Sequence, residues 1–112
     1  HWVRADQPYD ILTEEIAKKV VSIQINDAFD RPYAKTILRD ESMHDRLAPG
    51  TGAKDTAGFV KMIKDAGIEP AVVGVEVISD EILARGIKEA AAHTYDSTVK
   101  VLKETWPEVV EA

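Results

Sequence analysis

Two polar side chains interrupt segments of the sequence that are otherwise apolar. Glu76 lies in the apolar segment 71–78, where an ionised carboxylate is unfavourable unless it is paired or bound to a metal. Gln24 interrupts the segment 20–26 in the same way, and its amide there needs a metal, a substrate or another side chain as partner. The alternative for Glu76 is a glutamate that faces water from an edge strand.

A polar loop between these two segments carries an arginine and two glycines. Arg46 precedes Pro49-Gly50-Thr51-Gly52, and an arginine held by such a loop can clamp a carboxylate, a phosphate or a polyol through two hydrogen bonds. The N–H groups of Thr51 and Gly52 are candidates for binding an anion, although the Gly-Lys-Ser/Thr sequence of a phosphate-binding loop does not follow. A plain connecting loop is the alternative.

The remaining candidates are an aspartate, a tryptophan and the three histidines. Asp27 follows the segment of Gln24 and either takes part in a site or caps the loop after it. Trp2, beside His1, offers an apolar wall for the face of a sugar ring. His44 is a weaker candidate for substrate contact because most loop histidines are solvated, and His93 is expected on the surface of a helix.

The elements that would position these residues alternate between helices and strands. Apolar residues at helical spacing predict helices, and β-branched runs predict strands. The predicted order is a helix over 8–19, a strand over 20–26, a polar connection over 28–54 with a helix at 34–42, a helix over 56–66 capped by Asp55 and ended by Gly67, a strand over 71–78, a short helical turn capped by Ser79, and a helix over 87–105 stopped by Pro107. Strands and helices that alternate in this way predict a parallel sheet.

Two parallel strands need further strands around them, because both faces of a parallel sheet must be covered or the sheet must close into a barrel. A complete (β/α)8 barrel takes about 250 residues, and this chain has 112. The predicted fold class is therefore α/β, as the C-terminal part of a (β/α)8 TIM barrel, with 1–112 as a single partial domain. We expect either that this chain is part of a larger protein that has been cut at His1, or that a second copy of the chain supplies the partner strands. Open strand edges favour such association.

Composition excludes several classes of function. The net charge is −6 and the sequence has no basic run, which argues against binding duplex nucleic acid. No apolar run approaches the roughly 18 residues of a membrane span. Cysteine is absent, so that a metal site would use His, Asp, Glu or amide oxygens. The lack of cysteine also fits a cytoplasmic protein.

Several of these segments, in this order, resemble the xylose-isomerase-like TIM-barrel superfamily, and above all its sugar phosphate isomerase/epimerase branch. The resemblance covers almost the whole chain but only the C-terminal part of that fold. It rests on the following segments and residues: Ile23-Gln24-Ile25-Asn26-Asp27-Ala28, Arg46-Leu47-Ala48-Pro49-Gly50-Thr51-Gly52, Asp55, Phe59, Val60, Gly74-Val75-Glu76-Val77 and Glu89-Ala90-Ala91.

The resemblance implies a divalent metal (Mn, Mg, Co or Zn) at the barrel mouth, held by Glu, Asp, His and Glu from four successive strands. Glu76 matches the last of these carboxylates, which in the family's epimerases binds the metal and acts as an acid/base. Gln24 falls where most members have the metal-binding His, and its amide oxygen keeps a ligand role at weaker affinity. Arg46 matches an arginine that contacts substrate, and His1 matches the histidine of an Asp-x-x-His motif that also does so.

The implied reaction is proton abstraction next to the carbonyl of a small sugar or polyol, through an enediolate. The sequence thus predicts the C-terminal part of a metal-dependent sugar (phosphate) isomerase or epimerase, inactive by itself. A dehydratase or lyase of the same superfamily, and a non-catalytic half-barrel that assembles with itself, are the alternatives.

Overall fold

The computed structural model describes residues 1–30, 38–70 and 72–111. Its strands are β1 (Ser22–Ile25) and β2 (Val72–Val75). A short 3-10 turn, Tyr9–Ile11, precedes the helices, which are α1 (Glu14–Ala17), α2 (Leu38–His44), α3 (Thr56–Asp65), α4 (Asp80–Ala84), α5 (Ile87–Thr105) and α6 (Pro107–Glu111). Of the predicted helix at 34–42, the first four residues lie outside the described part, and α2 covers the rest. No helix among the described residues is long and apolar enough to cross a membrane.

The two strands pair in parallel, as the alternation of elements predicts. Ser22 lies opposite Val72 and Ile25 lies opposite Val75. Side chains alternate along β1, so that Ile23 and Ile25 are buried while Gln24 is exposed on the other face. The sheet has only these two strands within the described ranges, which therefore do not form a closed barrel.

The buried face of β1 packs against the long helices. α3 begins at the predicted cap, because the Asp55 carboxylate accepts a hydrogen bond from the Gly58 N–H at 2.8 Å. The helix ends before Gly67, whose φ of +72° belongs to the left-handed region that glycine adopts at no steric cost. The buried apolar cluster consists of Ala17, Ile23, Ile25, Val60, Met62, Ile63, Ile68, Val101 and Leu102.

The largest difference from the predicted elements is at the N-terminal side of β1. The helix expected over 8–19 is instead the 3-10 turn and the four-residue α1, which Thr13 starts by accepting a hydrogen bond from the Ile16 N–H. Only Ala17 is buried there. A helix needs packing of its apolar face more than propensity, and this segment has little to pack against.

The C-terminal helices differ from the prediction in a smaller way. α5 has the predicted bounds, but only residues in its second half are buried, and Ile87 at its start is 83% exposed. Pro107 ends α5 and also begins α6, which is consistent with the fixed φ of proline and its missing N–H at the first helical position.

Candidate functional site

A cavity of about 220 Å³ opens where the carboxyl ends of both strands meet. Its wall includes the residues that end β1 and the glutamate that directly follows β2. Polar residues at this end of parallel strands form the active sites of α/β barrels. Of the candidates singled out from the sequence, six line this one cavity, namely His1, Trp2, Gln24, Asp27, Arg46 and Glu76, whereas Thr51, Gly52, His44 and His93 do not.

Arg46 and Glu76 form an ion pair at the cavity wall. A guanidinium nitrogen of Arg46 lies 2.8 Å from Glu76 Oε2 and also donates to the Glu76 carbonyl at 3.1 Å. Arg46 Nε donates to the carbonyl of Ser42 at 2.6 Å, in the last turn of α2. Glu76, which was predicted to need a partner, therefore has one. Arg46, which was predicted to bind a ligand, binds Glu76 of the same chain instead. The Glu76 side chain remains 47% exposed.

Gln24 stands on the face of the sheet away from the helices, as its position in an alternating strand predicts. It lies opposite Gly74 in the register, where a Cβ atom would sit 3.5 Å from Gln24 Cγ. The amide next along that face, Asn26, donates to the Glu76 carbonyl at 3.3 Å. Gln24 and Glu76 both line the cavity.

The N-terminal residues form the opposite wall. The Trp2 indole N–H donates to the Gln7 carbonyl at 3.1 Å, and its ring lies 6.3 Å from that of Phe59 at an angle of 54°. The His1 Nε2 atom lies 3.4 Å from the Ser42 hydroxyl. This part of the lining therefore offers an aromatic surface beside the His1 imidazole.

The other two histidines lie outside the cavity lining. His44 Nδ1 is 3.1 Å from Asp80 Oδ2, a contact between α2 and α4 that is exposed on both sides. His93 lies on α5.

Asp27 caps the loop that follows it, which is one of the two roles that the sequence leaves open. Its carboxylate is 1% exposed. Oδ1 accepts from the N–H groups of Ala28 and Lys54 at 2.8 and 3.0 Å, and Oδ2 accepts from Gly50 and Gly52 at 3.1 and 3.0 Å. The anion that the glycine-rich loop binds is therefore this side chain, whereas the Thr51 N–H bonds to the Ala48 carbonyl.

A buried ion pair between Arg4 and Glu41 was not predicted from the sequence. Arg4 Nη2 contacts Glu41 Oε1 and also lies 3.4 Å from the Phe29 carbonyl. Both residues line the cavity, and Glu41 is 1% exposed. The two residues are 37 positions apart and Glu41 lies in a polar stretch, so that no local pattern signals the contact.

The described residues do not complete the predicted metal site. Glu76 and Gln24 supply one carboxylate and one amide, and Arg46 already engages that carboxylate. Within residues 1–30, 38–70 and 72–111, no three His, Cys, Asp or Glu side chains lie close enough to hold a metal ion. Because a catalytic metal usually takes at least three protein ligands, this chain by itself does not fit one.

Comparison with known proteins finds a likeness among solved structures. No protein-family model and no curated protein matches the sequence. Among solved structures, the chain is similar to the 1.8 Å crystal structure of the IolI protein with a binding zinc atom, with a TM-score of 0.63 and 25% sequence identity. The match covers 84% of this chain and 34% of that one, so that the chain spans about a third of that protein. The fold is mixed α/β and consistent with part of a TIM barrel.

We expect Asp27→Asn to destabilise the fold by on the order of 3 kcal/mol, because the amide keeps one acceptor oxygen and turns an NH2 group toward two backbone donors. The free energy of unfolding in urea measures the effect, with Asp96→Asn on the exposed side of α5 as the matched control. A loss no larger than that of the control would contradict the capping role.

Gly52→Ala should cost more stability than Gly67→Ala, although only Gly67 has a positive φ. A Cβ at Gly52 would meet the Asp27 carboxylate and lie 2.6 Å from the Ala28 carbonyl oxygen, whereas a Cβ at Gly67 meets nothing within 4 Å. We expect Gly52→Ala to lower the free energy of unfolding by about 2–3 kcal/mol because of crowding. Gly67→Ala should lower it by about 1 kcal/mol through backbone strain alone. Urea unfolding of the two variants shows which substitution lowers the free energy of unfolding more. A larger decrease for Gly67→Ala would contradict the close packing of Gly52 against Asp27.

Proposed function

We propose that this chain is the C-terminal part of a sugar isomerase or epimerase of the xylose-isomerase-like type, acting by proton abstraction next to a carbonyl. One observation carries the proposal most directly. Five residues chosen from the sequence for their chemistry, which come from four separate parts of the chain, line a single cavity at the carboxyl ends of two parallel strands. The likeness to a zinc-binding protein over 84% of the chain supports it.

In the proposed reaction, Glu76 is the proton acceptor. Its carboxylate is half exposed and lines the cavity, so that a substrate C–H beside a carbonyl can come within reach of Oε2. A positioned carboxylate contributes to such proton transfers as a general base. The same group returns the proton to the neighbouring carbon of the enediolate in an isomerisation.

Arg46 is the group that would stabilise the charge developing on the substrate oxygen. Its side chain is 11% exposed and is fixed by Ser42 at one nitrogen and by Glu76 at another. A preorganised donor in a site with little water stabilises an oxyanion without reorganising during the reaction. We propose that a substrate oxygen takes the place of Glu76 Oε2 on this guanidinium and frees the carboxylate to act.

We propose a divalent metal only for the larger protein, and not for this chain by itself. Gln24 and Glu76 would contribute two ligands, and the others would come from strands outside this sequence. No step of the proposed reaction is assigned to the metal, because the described residues do not hold one.

A second candidate function, a non-catalytic half-barrel that assembles with itself, is favoured by the exposure of β2. Val72 and Val75 are 58% and 37% exposed, which is unusual for apolar residues of a parallel strand. The molar mass of the 112-residue chain in solution, measured by light scattering after size exclusion, distinguishes a monomer from such an assembly.

We expect Glu76→Gln in the full-length gene product to reduce proton exchange by about 100-fold or more, the range typical for loss of a general base. The measurement is the incorporation of solvent deuterium next to the carbonyl of ketose and aldose substrates, followed by NMR with and without added Zn²⁺ or Mn²⁺. Glu69→Gln, in the exposed turn after α3, is the matched control and should exchange at the parental rate.

If the Glu76→Gln variant incorporates solvent deuterium at the parental rate, the role of Glu76 as proton acceptor is refuted. The absence of exchange in the parental protein with every sugar, with and without metal, would refute the isomerase proposal itself.

A further inference from the structure

The buried side chain of α2 is a charged one. Within Leu38–His44, Glu41 is 1% exposed, whereas the large apolar side chains of Leu38 and Met43 are 53% and 49% exposed. The packing of an apolar face is what usually fixes the position of a helix. Over the residues that the structure describes, α2 therefore depends on polar contacts for its place in the fold, and its buried carboxylate makes one of them.

The partner of that carboxylate is Arg4, which comes from the N-terminal wall of the cavity. A guanidinium nitrogen of Arg4 contacts Glu41 Oε1, and the same nitrogen lies 3.4 Å from the Phe29 carbonyl, in the segment after β1. An apolar pair of the same size would often be at least as stable as a buried ion pair, but it would not fix one geometry through directed bonds. The Arg4–Glu41 pair thus ties α2 to two other parts of the chain.

The residue after Glu41 carries the group that orients Arg46. Arg46 Nε donates to the Ser42 carbonyl at 2.6 Å, while another guanidinium nitrogen contacts the carboxylate and the carbonyl of Glu76. In the proposed reaction a substrate oxygen replaces Glu76 Oε2, so that the Ser42 and Glu76 carbonyls then hold the guanidinium. Because a carbonyl moves with its helix, the place of α2 sets the direction in which Arg46 points.

We propose that Arg4 and Glu41 are positioning residues for Arg46. The buried pair holds α2, and the Ser42 carbonyl of that helix aims the guanidinium at the oxygen on which charge develops. A donor stabilises such an oxygen best when it is held in place before the reaction. The inference deepens the proposed function and rests on it for the role of Arg46 in the reaction, whereas the placement of Arg46 is argued from the contacts alone.

The first test observes the Arg46 Nε–H group directly in the full-length gene product. In protein labelled with ¹⁵N-arginine, the Nε–H resonance that disappears in Arg46→Met identifies this group. Glu41→Ala should shift the resonance and speed its exchange with solvent about tenfold, because the accepting carbonyl loses its fixed position. Asp40→Asn, at the exposed neighbouring position of α2, is the matched control and should leave both unchanged.

Glu41→Gln guards against misfolding of Glu41→Ala. Its amide oxygen can still accept a hydrogen bond from Arg4, but the bond loses the strength that the charge gives it. We expect the fold to persist and the Arg46 Nε–H group to exchange about threefold faster than in the parent. A folded Glu41→Gln protein with the parental resonance and exchange rate would overturn the proposal, whatever Glu41→Ala does.

The second test asks whether Glu41 acts through Arg46, which a pair that only stabilises the fold would not do. It compares the rates of deuterium incorporation, per folded protein, for Glu41→Gln, Arg46→Met and the double variant. Glu41→Gln should slow incorporation about threefold in the parent and hardly at all in the Arg46→Met background, because residues that act as a unit are not additive. The same loss in both backgrounds would overturn the proposal.

The two measurements separate this inference from the proposed function. A changed Arg46 Nε–H resonance in a protein that incorporates deuterium into no sugar would support the positioning by Arg4 and Glu41 and remove the isomerase. Deuterium incorporation by a protein whose Arg46 resonance does not respond to Glu41 would do the reverse.

Discussion

The carboxylate of Asp27 is the interaction on which the rest of the site depends. It gathers four backbone N–H groups from the end of β1 and from the glycine-rich loop. The backbone of the same residue pairs with Leu47 in both directions, at 2.8 and 2.9 Å. One residue thereby fixes the loop against the end of the strand, up to Lys54, which directly precedes the Asp55 cap of α3. A charged acceptor strengthens each of these bonds, and burial makes the loss of any of them costly.

Arg46 performs a similar function on the other side of the cavity. Its side chain reaches the last turn of α2 and the residue after β2, while its N–H donates to the Ile78 carbonyl at 3.0 Å. The wall of the cavity is thus assembled by two residues of one polar region of the chain, Asp27 directly before the long connection and Arg46 within it. Neither is placed by apolar packing, and this explains why a connection with few buried apolar residues can still position several functional side chains.

Local patterns were sufficient to predict part of this arrangement. The cap at Asp55, the bounds of α5 and the position of Gln24 on the face of β1 away from the helices follow from rules that act over a few residues. The role of Asp27 stayed open, because three of its four donors lie 23 to 27 positions away and nothing near it in the sequence shows that it is buried. The Arg4–Glu41 pair was missed for the same reason. The helix over 8–19 was wrong in extent, because its apolar stripe has almost no surface to bury against.

The separation of the two strands along the chain has a consequence for the order of folding. Residues that meet across the sheet are about 50 positions apart, as Asn26 and Glu76 are, and closing so long a loop in one step costs chain entropy before any strand contact forms. The bonds of Asp27 to the glycine-rich loop span about half of that length, and those of Arg46 to Glu76 span 30 positions. If these contacts form before the strands pair, two shorter closures replace one long one, and each has a lower entropic cost. The polar loop that forms part of the cavity wall would then also bring the two parallel strands together during folding.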